Sequence, residues 1–255
     1  MDLHLPTAGL NKYRSASQRA RICTESWGAA SLYCPACDSR RINPLPSGTH
    51  AADFTCPSCE SRFQLKSKSS AFGNRVIDGA YAAMHRAILS DETPNLFLLH
   101  YQLPRLTVQN VLLIPHFVLT LSFLEKRKPL SADARRAGWV CCNFLLDRIP
   151  SDARIPIVHE GQPVSASKVR KAYERLRPLE KLNVQKRGWT LDVLQIVKGL
   201  NKKEFTLKEV YDEEETLANR HPNNVHVRDK IRQQLQVLRD FGLLTFLGSG
   251  SYRLI

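Results

Sequence analysis

Four cysteines constrain this chain more than any other feature. Cys34, Cys37, Cys56 and Cys59 read C-x2-C-x18-C-x2-C. Two short knuckles of this spacing can present four thiolates to one zinc ion at tetrahedral angles. A site closed by four protein ligands keeps no open coordination position, so zinc held there organises the chain and performs no hydrolysis. The alternative is a pair of disulfides. The chain has seven cysteines, with Cys23, Cys141 and Cys142 outside the quartet. An odd count without a signal-peptide pattern favours metal and free thiols. Between the knuckles, Arg40, Arg41, Pro44, Pro46 and Gly48 suit a loop able to touch phosphate.

The second knuckle is embedded in DFTCPSCESRFQLK, residues 53–66. Residues 51–54 read as a strand entering it, and residues 63–67 as a strand leaving it. Side chains two apart on a strand share a face, which puts Gln64 and Lys66 together and turns Phe63 and Leu65 to the core. An acid, Asp53, facing a polar residue and a lysine on the next strand is the layout of a divalent-metal nuclease site. Taken singly, Lys66 reads as a surface lysine; the combination favours the functional reading. Glu25, on a preceding helix, is a candidate second acid, and otherwise a solvated or capping carboxylate.

Composition narrows the partner. The chain has 255 residues, 43% of them hydrophobic, enough for one large domain or two with buried cores. Its formal net charge is +13, from 37 Lys and Arg against 24 Asp and Glu. Such an excess suits a polyanion. No run approaches the ~18 apolar residues of a spanning helix, and the N-terminus lacks a secretory pattern. The expectation is a cytoplasmic nucleic-acid-binding protein without a membrane partner.

Residues 15–28 read as a helix capped by Ser15, with Ala20, Ile22, Cys23 and Trp27 as its apolar stripe. A second helix is expected to start at Asp78 as its cap. Residues 96–101, 108–114 and 154–159 read as strands and residues 165–177 as a helix, which together predict a mixed sheet flanked by helices. Residues 126–139 form a basic loop in which Lys126, Arg127, Lys128, Arg135 and Arg136 can bind phosphates and Trp139 can stack on a base. The plainer role for Trp139 is a core or rim tryptophan. Cys141 and Cys142 read as buried thiols. Residues 181–188 look like a linker.

Beyond it, residues 190–200 form an amphipathic helix and residues 205–207 an extended step. Thr206 caps a short helix with Glu209 as its capping-box partner. Residues 224–241 make a longer helix, and residues 243–254 a hairpin. That order is a winged helix. Its third helix carries Val227, Ile231, Leu235 and Leu238 on one face. Asp229, Gln233 and Gln236 lie opposite that stripe, flanked by Arg228, Lys230 and Arg232; Arg can read guanine and Gln adenine. The alternative is a winged helix that pairs only with protein.

The strings SQRARICTESW, YCPAC, ADFTCPSCESRFQLKSK, DGAYAAM, RKPLSADARRAGW, RGWT and DKIRQQLQVLRD resemble, in order and spacing, the DpnI-like family of methyl-directed (Type IIM) restriction endonucleases. The resemblance spans nearly the whole chain. It implies an α/β (α+β) fold: a PD-(D/E)XK restriction-endonuclease-like domain over residues 1–182, with a mixed sheet and a four-cysteine zinc site, followed by a winged-helix DNA-binding domain over residues 183–255. It implies hydrolysis of double-stranded DNA at GATC sites carrying N6-methyladenine, with both domains reading the methylated site. Asp53, Gln64 and the Leu65 carbonyl would hold a catalytic Mg2+, Lys66 would orient the attacking water, and Zn2+ would be structural. Trp139 stands where the family has the tryptophan beside the methylated adenine. The family motif has glutamate at the position of Gln64; an amide oxygen can still ligate the metal but brings no charge. Glu25 or Glu60 are the candidates to compensate. The alternative implied by that departure is a non-catalytic reader of methylated DNA.

Overall fold

The computed structural model describes residues 1–49 and 51–255. In chain order the elements are α1 (Ala16–Ser31), β1 (Asn43–Pro44), β2 (Phe54–Thr55), β3 (Arg62–Lys68), β4 (Arg75–Ala80), α2 (Tyr81–Leu89), β5 (Asn95–Gln102) and β6 (Thr107–Ile114). They continue with β7 (Leu124–Lys126), β8 (Cys141–Leu145), β9 (Ile155–His159), β10 (Gln162–Pro163), α3 (Ala166–Leu176) and α4 (Val184–Gly199). The chain closes with β11 (Glu204–Thr206), α5 (Leu207–Tyr211), α6 (Glu214–Arg220), α7 (Val227–Asp240), β12 (Leu244–Gly248) and β13 (Ser251–Leu254). They gather into two compact units. The first comprises residues 1–74, 92–119 and 152–177; the second comprises residues 75–91, 120–151 and 178–255. The chain therefore passes from one unit to the other five times.

The first unit is built on a seven-stranded mixed sheet of order β1-β2-β3-β5-β6-β9-β10. β3 and β5 run parallel, and the remaining pairs are antiparallel. β5 is buried along nearly its whole length, which its apolar run NLFLLHYQ requires of a strand covered on both faces. Phe63 and Phe97 stack across the parallel pair with ring centroids 5.2 Å apart. α1 packs on this sheet: Thr24 Oγ1 donates to Ser67 Oγ at 3.0 Å, and Gly28 lies so close to Phe54 that a Cβ there would come within 2.9 Å of its ring. Ser15 stands at the N-cap of α1 without a side-chain cap bond. The entering strand is shorter than its sequence suggests: residues 51–53 are irregular, with a turn at Ala51 and a bend at Asp53, and only Phe54 and Thr55 pair as β2.

The second unit holds two three-stranded sheets, β4-β8-β7 and β11-β13-β12. β4 corrects one expectation. Asp78 does not cap a helix; it lies buried inside a strand, opposite Cys142 of β8, and α2 begins three residues later. The β-branched pair Val76–Ile77 and the offered partner strand outweigh the cap-like look of Asp78. Across this sheet Arg75 makes a two-pronged pair with Glu125, at 2.9 and 3.0 Å, and Asn143 donates to the same carboxylate at 2.6 Å. This clamp ties all three strands together. It also holds Glu125 at about 2, chiefly through the bond from Arg75.

A second correction concerns residues 181–188, expected to be a linker. α4 starts at Val184, with Asn183 capping it through a 2.9 Å bond from the Lys186 amide. Arg187 is fully buried on this helix and pairs through both terminal nitrogens with Asp91. Beyond it the winged helix is as read. Thr206 and Glu209 form the capping box. Val227, Ile231, Leu235 and Leu238 are buried with Val193, Val197 and Leu244. β13 lies between β11 and β12. The short α6 was not anticipated.

Candidate metal centres and nucleic-acid interface

In the first unit the four quartet thiols converge, with all Sγ atoms within 4.8 Å of one another. Cys34 and Cys59 are 3.6 Å apart, and Cys37 and Cys56 3.5 Å apart. A tetrahedron with Zn–S bonds of about 2.3 Å has edges of about 3.8 Å, so this donor set fits zinc. Burial raises the Cys34 and Cys37 thiols. Burial also acts upward on Cys56, but the amides of Cys59 and Ser58 and the neighbouring thiols outweigh it and bring Cys56 down to about 6. That favours the thiolate a metal needs. Sequence reasoning missed Arg170 of α3. Its Nε donates to Cys34 O at 3.2 Å, its Nη2 to Ser39 O at 2.8 Å, and its guanidinium lies over the Tyr33 ring. It holds the first knuckle from 136 positions away, a distance at which spacing gives no signal.

The second knuckle returns the chain as a tight antiparallel pair, Phe54 opposite Phe63 and Thr55 opposite Arg62. Continued by one residue, that register sets Asp53 opposite Gln64. The Asp53 amide donates to Phe63 O at 2.8 Å. β2 ends there, and among the described residues no further strand pairs with β3 on that edge; the Asp53 carboxylate takes that place, its Oδ2 accepting from the Leu65 amide at 2.7 Å. The N–H and C=O of one strand residue face the same edge, so the Leu65 carbonyl is turned toward Asp53 as well. The strand thus carries Gln64 and Lys66 on either side of the residue that Asp53 grips. The Asp53 carboxylate and the Leu65 carbonyl meet at this edge, and Gln64 next to them in the strand carries an amide oxygen; oxygen donors are the kind hard divalent cations take.

Glu25 joins this corner. With Arg21, Ala52, Asp53 and the loop at residues 44–49 it lines a cleft of about 50 Å³. Burial raises the Glu25 carboxyl, Arg21 opposes the shift, and the nearby Asp53 charge adds to it. Glu60 sits instead on the exposed turn of the knuckle, with positive φ.

The second unit carries the other candidate residues. The loop between β7 and β8 is closed at its base by Arg127 N to Cys141 O, 3.0 Å, and by Leu130 N to Trp139 O, 2.9 Å. Arg135 and Arg136 are exposed, and Trp139 is 36% exposed, unlike the buried Trp27 and Trp189. On α7, Arg228, Arg232 and Gln233 all face solvent. Each already has a local partner: Arg228 pairs with Glu214 at 2.7 Å, Arg232 with Asp229, and Gln233 accepts from Lys230 at 2.9 Å. A cavity of about 480 Å³, unannounced by the sequence, lies beside Trp189 and His221, which stack 3.8 Å apart over the buried Asp192.

Among the described residues no helix is long and apolar enough to cross a membrane. The family model DpnI, described as the Dam-replacing family, matches residues 1–182. A second model, described as the Dam-replacing HTH domain, matches residues 185–254, the stretch folded as a winged helix. With most of its length matched by the first model and nearly all the remainder by the second, the chain belongs to the Dam-replacing family.

Proposed function

We propose that this protein is a methylation-dependent restriction endonuclease that hydrolyses double-stranded DNA at GATC sites bearing N6-methyladenine. In this reading residues 1–182 form the nuclease domain, of PD-(D/E)XK type, and residues 183–255 a second methyl-reading domain. The protein works as a monomer in the cytoplasm of a bacterium or archaeon. The observation that carries the proposal is the Asp53 carboxylate bonded to the Leu65 amide at 2.7 Å, opposite Gln64 and beside Lys66.

Asp53, Gln64 and the Leu65 carbonyl would hold Mg2+, which when bound offsets charge developing on the phosphoryl oxygens. Lys66 orients the attacking water or, in its neutral form, helps take its proton. The strand keeps Lys66 next to the metal-binding edge. Zinc in the cysteine quartet fixes the hairpin that brings these groups together and takes no part in the chemistry. Arg135 and Arg136 contact phosphates, Trp139 meets the methylated adenine, and Arg228, Arg232 and Gln233 read base edges. One methyl group contributes only about 1 kcal/mol of burial, so strong discrimination favours two readings of the site.

Gln64 favours a second reading, in which the protein binds methylated DNA without cutting it. Incubation with methylated and unmethylated GATC plasmid, with and without magnesium or manganese, separates the two. Cutting that needs both the methyl group and the metal supports the nuclease. Methyl-dependent binding without cutting at any metal concentration supports the reader.

A further inference from the structure

We propose that Cys141 is a positioning residue for Trp139, and that the thiol, through the indole, sets how well methylated adenine is discriminated. The proposal rests on the reading of Trp139 given above and goes beyond it in assigning Cys141 a role.

The Trp139 indole is exposed at the end of a basic loop, where an unsupported ring would sample several rotamers and lose affinity to ordering on contact with a base. Three contacts restrain it. Its Nε1–H donates to Cys141 Sγ at 2.9 Å. The Arg136 guanidinium lies over the ring at 5.2 Å from its centroid. The backbone is fixed by Trp139 N to Arg136 O, 3.0 Å, and by Leu130 N to Trp139 O, 2.9 Å. Gly138, with φ of 77°, makes the turn into Trp139 that a side-chain-bearing residue would adopt only with strain. Cys141 in turn is anchored: it opens β8, paired with Lys126–Leu124 on one side and with β4 on the other. The thiol thus ties the indole of this loop to the rim of a sheet, alongside the arginine and backbone contacts. A ring held at its edge nitrogen keeps its plane fixed and leaves its remaining surface for the ligand.

The test uses the full chain and a GATC duplex with and without N6-methyladenine, with calcium in place of magnesium so that binding is measured whether or not the protein cuts. We expect Trp139→Ala to lower the ratio of methylated to unmethylated affinity. Cys141→Ala should lower it about fivefold to tenfold, the scale of one hydrogen bond. Cys141→Ser, which keeps an acceptor, should restore most of it. The indole emission of Cys141→Ala should differ from that of the unaltered protein, and this difference should vanish in a Trp139→Ala background. If Trp139→Ala lowers the ratio and Cys141→Ala does not, the role of Cys141 is overturned while the reading of Trp139 stands. If Trp139→Ala leaves the ratio unchanged, both fall. Equal loss with Cys141→Ser and Cys141→Ala also overturns the hydrogen-bond role.

Discussion

Lys66 and Gln64 carry opposite kinds of information about the proposed chemistry. Lys66 lies within the sheet, half-buried, one strand position beyond the residue whose amide Asp53 accepts. Replacing it with alanine should leave duplex affinity nearly unchanged and slow cutting by about 10²–10⁴-fold, the range lost with a proton-transfer group. A variant that still cuts at the parent rate removes Lys66 from the mechanism. Gln64 offers an oxygen without charge, and a hard cation is held more tightly by more anionic ligands. Gln64→Glu should therefore lower the magnesium concentration for half-maximal cutting several-fold, read from a metal titration of cleavage rate. These residues were legible because they lie within a few positions of a knuckle that folds back on itself, so sequence proximity becomes spatial proximity. Arg170 was not, because its partners at Cys34 and Ser39 are brought to it only by the tertiary fold.

At the scale of elements, two clips can be tested separately. The first is the cysteine quartet. Cys56→Ser removes one of four thiolates; it should lower the melting temperature and reduce bound zinc, measured by metal analysis of the purified protein. A variant with unchanged zinc content and melting curve sinks the structural-zinc assignment. The second is the Arg75–Glu125–Asn143 clamp across β4, β7 and β8. Glu125 is held at about 2, below its ordinary value of 4.5. A depressed carboxylate stabilises the fold above its ordinary value and ceases to do so as pH falls through the folded one. The melting-temperature gap between the parent and Glu125→Gln should thus be open at neutral pH and close between pH 4.5 and about 2. A gap that does not change with pH means that the lost charge is immaterial. β4 also shows why element type was misread there. Asp78 before an alanine-rich run has the local look of a cap, yet the pairing of Val76 and Ile77 with Phe144 and Asn143 decides the outcome. α4 was misread at its start because KLNVQKRG is linker-like in composition, while Asp91, which neutralises Arg187, lies 96 positions earlier.

For the whole molecule the net charge of +13 was legible at once and bears on the partner. If Lys and Arg side chains neutralise phosphates, the logarithm of the association constant for duplex DNA should fall linearly with the logarithm of salt concentration. The slope should be about −0.9 per phosphate contacted, and Arg135→Ala together with Arg136→Ala should make it shallower by about two. A slope near zero leaves the basic loop without a polyanion role. The winged helix was readable from its grammar of caps and stripes. The division of the chain into units was not, since it depends on which distant segments share a core. That division, with its five crossings, has a genetic consequence. Recombination exchanges contiguous stretches of a gene, and no contiguous stretch here encodes either unit entire. A crossover near codon 183 transplants the winged helix but leaves behind Asp91, the counterion of its buried arginine. Lineages that trade this module must therefore inherit an acid at that place, or lose the arginine along with it.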